Sequence, residues 1–146
     1  MSGPPPESEA ELWVERGSRR YLPGETLRGG YSLSSWRDAG LTVVELSVLW
    51  HTAGQGEEDF YVHHFERFRS AQLPALTGEA PYTFETVLPL SPHSYDGQIV
   101  RVCWVARLRG HFRGGRRRVV EAPFALGPPS PKAKPYATSP SEGDDG

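Results

Sequence analysis

Val100, Val102, Trp104, Ala106 and Leu108 alternate with Arg101, Cys103, Val105, Arg107 and Arg109. Period-two spacing over a stretch this long puts the apolar set on one face of a strand and charge on the other, which a helix cannot do. The same period returns at Val44, Leu46, Val48 and Trp50, at Tyr82, Phe84, Thr86 and Leu88, and at Val120, Ala122, Phe124 and Leu126. Leu12 with Val14 marks a short first strand, and Leu27, Tyr31 and Leu33 a second. Phe60 to Arg69 reads as a strand whose alternation breaks near Phe65 and Phe68, so a bulge is expected there. No segment of ten or more residues sustains helical spacing. Seven strands separated by Gly, Pro, Ser or Asp turns predict an all-β fold, a two-sheet antiparallel β-sandwich, with a small closed barrel as the alternative.

The chain of 146 residues carries 16 Gly and 14 Pro, a richness in turn-formers that suits many short strands. Eight of the prolines fall in residues 1 to 10 and 127 to 146, where Ser, Gly and acids also accumulate. Three regions follow: a disordered tail over 1–10, one domain over 11–127, and a disordered Pro/Ser-rich acidic tail over 128–146. Pro128, Pro129 and Pro131 would suit a polyproline ligand, but a plain solvated tail explains them as well. The formal charge is -2, so bulk polyanion binding is not implied. Within the domain 14 arginines face 13 acids and the lysines lie outside it, so any basic surface is local and built of arginine. The single cysteine, Cys103, cannot form an intrachain disulfide, and the sequence shows no secretion signal or spanning run. A cytoplasmic location is expected, with no membrane span.

Tyr21-Leu22-Pro23-Gly24-Glu25-Thr26-Leu27-Arg28-Gly29-Gly30 reads mechanically. Pro23 presets the first central position of a type II turn, Gly24 supplies the positive φ of the second, and Leu27 begins a strand. Gly29 or Gly30 marks a bulge or a close approach by another backbone or ring. At these residues the chain resembles the arrestin-like family, whose first domain carries a Tyr-x-Pro-Gly-acid-x-aliphatic-x-Gly run at this place. Phe84 with Leu88-Pro89, Ser94-Tyr95-Asp96-Gly97 and Val102-Cys103-Trp104-Val105-Ala106 resemble further motifs of that family in order and spacing. The resemblance covers Leu12 to Leu126 and implies a single N-terminal-type domain, an immunoglobulin-like β-sandwich of about seven strands that serves as a protein-interaction adaptor without catalysis. It does not extend to phosphoreceptor binding, because Glu11-Leu12-Trp13-Val14-Glu15-Arg16 lacks the adjacent basic pair of arrestins.

The local charge anomaly is the last hairpin, where Arg101, Arg107, Arg109, Arg113, Arg116, Arg117 and Arg118 occur with no acid between the first and last. Keeping Trp104, Ala106, Val120 and Ala122 on one face predicts Arg109 opposite Arg117, Arg107 opposite Val119 and Val105 opposite Glu121. Arg107, Arg109, Arg113 and Arg117 are then candidates for an acidic partner, against the alternative of a solvated edge whose charges block strand addition. The hairpin tip Glu57, Glu58 and Asp59 is a second candidate surface, and the opposite charges allow monomer or weak, salt-sensitive self-association. Nucleic-acid binding through the arginines is the runner-up; a carbohydrate-binding sandwich would use Trp13 and Trp36, while Trp50 and Trp104 belong to the core. His63 and His64 point to opposite faces of a strand and cannot share one ion, and Cys103 has no histidine beside it in sequence. No nucleophile elbow, phosphate-cradling loop or placed carboxylate pair occurs, so neither an enzyme nor a bound cofactor or metal is expected.

Overall fold

The computed structural model describes residues 10–16, 20–54, 58–73, 81–97 and 100–127. Each expected strand forms: β1 (Glu11–Val14), β3 (Thr26–Ser32), β4 (Leu41–Gly54), β5 (Phe60–Arg69), β6 (Tyr82–Val87), β8 (Val100–Phe112) and β9 (Arg117–Leu126). Two strands of two residues each are added, β2 (Arg20–Tyr21) and β7 (Tyr95–Asp96), too short for any period to show. One five-residue helix, α1 (Ser34–Asp38), joins β3 to β4.

The strands form an all-β sandwich. The smaller sheet has the order β1-β3-β6 and the larger β2-β9-β8-β4-β5, with β7 beside β8. Pairing is antiparallel except between β2 and β9, which run parallel through Arg20 to Ala125 and Tyr21 to Leu126. The alternation of β4, β8 and β9 turns Val44, Leu46, Val48, Trp104, Ala106, Leu108, Phe124 and Leu126 inward, against Leu27, Tyr31, Phe84 and Leu88 of the smaller sheet and its margin. Burying each such side chain contributes about 1.5–3 kcal/mol, so the alternation itself fixes which face of the larger sheet meets water.

The bulge in β5 falls at His63, because Val48 pairs with His64 and Leu49 with Val62. It lies two residues before the expected Phe65 and turns His63 toward the smaller sheet, where its Nε2 donates to the Val87 carbonyl of β6 at 2.8 Å. The bulge leaves His64 on the core side too, opposite Val48 and with its Nε2 within 2.8 Å of Glu66, so the two histidines do not point to opposite faces as plain alternation predicts. Ala10 is buried in the core; residues 1–9 and 128–146, most of the two expected tails, lie outside the described residues.

Trp36, read as a loop residue, is instead the core of α1 and fully buried, with its ring edge-on to Phe112 at 5.5 Å. Gly110 makes room for it: a Cβ there would sit 2.6 Å from the indole. Trp13 lies against Gly30 and stays 39% exposed. The two rings proposed as a sugar platform are therefore one core residue and one strand-packing residue. Trp50 is only partly buried and stacks on Tyr61 at 6.3 Å, whereas Trp104 is buried with its Nε1 donating to Pro92 O at 2.8 Å.

Candidate interaction surface

The turn motif does what its residues dictate. Gly24 has φ +85, the Glu25 amide donates back to the Leu22 carbonyl at 3.0 Å, and the turn is tied to β6 through Gly24 N to Leu88 O and Leu88 N to Glu25 O. Tyr21 is buried, donates its hydroxyl to the Glu15 carbonyl and lies under the Arg16 guanidinium at 4.5 Å. Gly29 is the close approach: a Cβ there would fall 2.4 Å from the Trp13 carbonyl and 2.6 Å from Phe84. Tyr21, Pro23, Gly24 and Gly29 thus lock β1, β3 and β6 together.

The last hairpin corrects the expected register by two residues. Arg107 lies opposite Glu121, Arg109 opposite Val119, and His111 opposite Arg117. The cause is the turn: Gly114 and Gly115 both take φ +84, the chain reverses over Arg113–Gly115, and Phe112 N closes it on Arg116 O at 2.9 Å. Alternation fixes the face of each residue but not this slip of two, which leaves every face unchanged. Arg107 and Glu121 form an ion pair of 2.7 Å in place of the expected Arg109 to Arg117 repulsion.

The outward residues of the larger sheet make three rows at the end next to this turn. Arg69, Val43, His111 and Arg117 form the first, Arg67, Glu45, Arg109 and Val119 the second, and Phe65, Ser47, Arg107 and Glu121 the third. The sequence had offered Arg107, Arg109 and Arg117 from one hairpin; the β4–β5 pairing adds Arg67 and Arg69, which no local pattern marks. Glu45 is the hub, with Arg67 at 3.2 Å, His111 at 3.2 Å and Arg109 at 3.9 Å. Burial pushes its carboxyl up, but the hydrogen bond and charge of His111, the Arg67 hydrogen bond and the Arg109 charge outweigh this and hold it below the usual carboxylate value. Five arginines against two glutamates leave the rows with a formal surplus of three positive charges. Arg69 and Arg117, at the two ends of the first row, have no acidic partner among the described residues.

Arg113 does not share this face. It lies at the turn, its side chain beside Gly40 and its amide bonded to Gly40 O at 3.0 Å. Glu58 and Asp59 are exposed at the other end of the sheet, where Asp59 N bonds the Thr52 hydroxyl at 2.8 Å; Glu57 lies outside the described residues. Cys103 is a free, half-buried thiol whose cross-strand partner is His51, a neighbour that sequence spacing could not supply.

No protein-family model matches the sequence, and no curated protein matches it. Among solved structures, the sporulation control protein Spo0M from Bacillus subtilis aligns with a TM-score of 0.52 at 12% identity, over 82% of this chain and 49% of that one. The fold is similar to that of Spo0M. At this identity the likeness speaks to the fold alone, and the chain spans about half the length of Spo0M.

Proposed function

We propose that the chain is a non-enzymatic protein-interaction module, an adaptor of arrestin-like type, that docks an acidic partner on the outer face of its larger sheet. The surplus of arginine on that face carries the reading. Glu121 takes Arg107 and Glu45 is shared among Arg67, Arg109 and His111, so among the described residues Arg67 and Arg109 have only a share of one acid and Arg69 and Arg117 have none. Guanidinium suits this work because its fork takes a carboxylate through two parallel hydrogen bonds. The face is the outer side of a sheet, and its central carboxylate, Glu45, is held ionised among cations, which suits recognition better than acid–base chemistry. We place the protein in the cytoplasm; its one cysteine stays unpaired, and no helix of the described residues is long and apolar enough to cross a membrane.

The test is capture from nuclease-treated lysate of the source cell, comparing the full chain with an Arg69→Glu, Arg109→Glu, Arg117→Glu variant. A stoichiometric protein lost with the variant supports the reading. Recovery of nucleic acid alone from untreated lysate would replace it with the nucleic-acid alternative.

A further inference from the structure

The free edges of the two sheets are unequal. β1 has four residues and lies beside β9, β2 has two, and β9 carries Pro123, which has no amide to offer a ladder. The far end of β6 is engaged by His63, whose ring bonds the Val87 carbonyl. β5 remains: it ends the larger sheet, it has ten residues, and no strand of the described residues pairs with its outer side. Its bulge is confined to His63, and from His64 to Arg69 it pairs with β4 without interruption. Six residues in regular register present about 20 Å of straight edge.

The side chains along that edge select what fits it. Phe65, Arg67 and Arg69 project outward, and Phe65 is 52% exposed while the Arg67 side chain is 55% exposed. His64, Glu66 and Phe68 project to the core side, where Phe68 is packed but incompletely covered and Glu66 is already held by His64. Directly opposite residues of adjacent strands bring their Cβ atoms within about 5 Å of each other, so alternate residues of an added strand would meet Phe65, Arg67 and Arg69 in turn.

We propose that β5 accepts an extended segment of the acidic partner by strand addition along His64 to Arg69, in which carboxylates at alternate positions meet Arg67 and Arg69 and an apolar residue on the same face covers Phe65. This rests on the reading of the arginine face as a docking surface and gives it a mechanism. Backbone hydrogen bonds supply attachment that is indifferent to sequence, and the alternate acids supply selection. Such a strand would extend the charged rows by one column and complete the cover over Phe68.

The test uses the full chain and a fluorescent ten-residue peptide of alternating glutamate and valine in which the one glutamate that would meet Phe65 is replaced by leucine. Two further peptides carry backbone N-methyl groups on one alternating set of residues each, so that each loses one hydrogen-bonding edge and keeps its charge. The parent peptide should bind, slow amide exchange over Phe65 to Arg69, and lose at least about tenfold in affinity when the edge facing β5 is methylated. Arg67→Glu with Arg69→Glu should lose a similar factor, and a lysine–valine peptide should not bind. If both methylated peptides bind as the parent does, strand addition is overturned while the arginine face stands as a charge-only site. If the parent peptide leaves β5 exchange unchanged, the proposal is also wrong, whatever the lysate experiment captures. Loss of the reading itself would show separately, as capture insensitive to the Arg69, Arg109 and Arg117 changes.

Discussion

Glu45 sets the balance of the arginine face. It lies against Arg67, Arg109 and His111 at once. Its depressed pKa means that the folded state releases this proton more readily than the unfolded chain, so the contribution to stability is present above the ordinary value of 4.5 and is lost as pH falls through the lower folded value. Glu45→Gln should therefore cost about 1 kcal/mol at neutral pH and flatten the acid side of the stability profile, measured by urea titration from pH 7 down to pH 3. The same change raises the surplus on the face from three to four, and one charge at contact range in water should tighten an acidic peptide about threefold. A variant less stable yet a better binder would tie the two effects to one residue; unchanged binding would remove Glu45 from the surface. The tryptophans separate in the same way. Trp36 Nε1 is buried with no hydrogen-bond partner among the described residues, whereas Trp104 Nε1 bonds Pro92 O. Trp36→Phe loses ring area but sheds an unsatisfied N–H, while Trp104→Phe loses both area and a bond, so the second should be the more destabilising by about 1 kcal/mol or more in chemical denaturation. Equal losses would mean that the Trp36 N–H carries no penalty.

At the scale of elements, the strands were legible because over most of their length one face is wetter than the other, which a period of two records directly; the outward pair Leu49 and Val105, both buried, is the exception in β4 and β8. β4, β8 and β9 read cleanly for that reason. The turn at Tyr21 to Glu25 was legible because Pro23 and Gly24 are constrained residue by residue. What did not show were features set by partners distant in the chain: the burial of Trp36, which depends on Gly110; the bulge at His63, fixed by β4; and the membership of Arg67 and Arg69 in a face shared with Arg109 and Arg117. The hairpin register lies between these cases. Its faces followed from alternation, but its slip of two was decided by the Arg113–Gly115 turn, where neither Gly114 nor Gly115 has any neighbour within 4 Å of a would-be Cβ. Substitution there meets no clash, so Gly114→Ala or Gly115→Ala should cost only the backbone penalty of a left-handed residue, about 1–2 kcal/mol, read from the thermal midpoint. Gly29→Ala, facing a backbone carbonyl and the Phe84 ring, should cost more than either. A turn variant as damaging as Gly29→Ala would mean that the turn is packed and not merely bent.

For the whole molecule the decisive feature is that the Arg113–Arg117 turn and the Glu58–Asp59 turn lie at opposite ends of the larger sheet, with Arg101 opposite Asp96 at the second end and Asp38 close to the first. Arg113 and Arg117 sit where β8 turns into β9, beside Gly40 and the start of β4; Glu58 and Asp59 sit where β4 turns into β5. β4 separates the two ends by ten residues between Leu41 and His51, roughly 33 Å at strand rise. That distance is several screening lengths at ordinary salt, so the two ends of one molecule do not neutralise each other and each is left to attract the opposite end of a second copy. Such a contact is head to tail and does not close on itself, so it yields chains rather than a dimer. It would also be weak, because exposed ion pairs contribute about 0–1 kcal/mol each and the two acids supply at most about 2 kcal/mol, short of the roughly 4 kcal/mol that millimolar association needs. Sedimentation at increasing concentration in low salt should show attraction between monomers that vanishes near 0.5 M salt, where screening acts within about 5 Å, and that Arg113→Glu with Arg117→Glu abolishes without any salt. The same sedimentation behaviour at both salt levels would show that the charges of the two turns serve the partner alone.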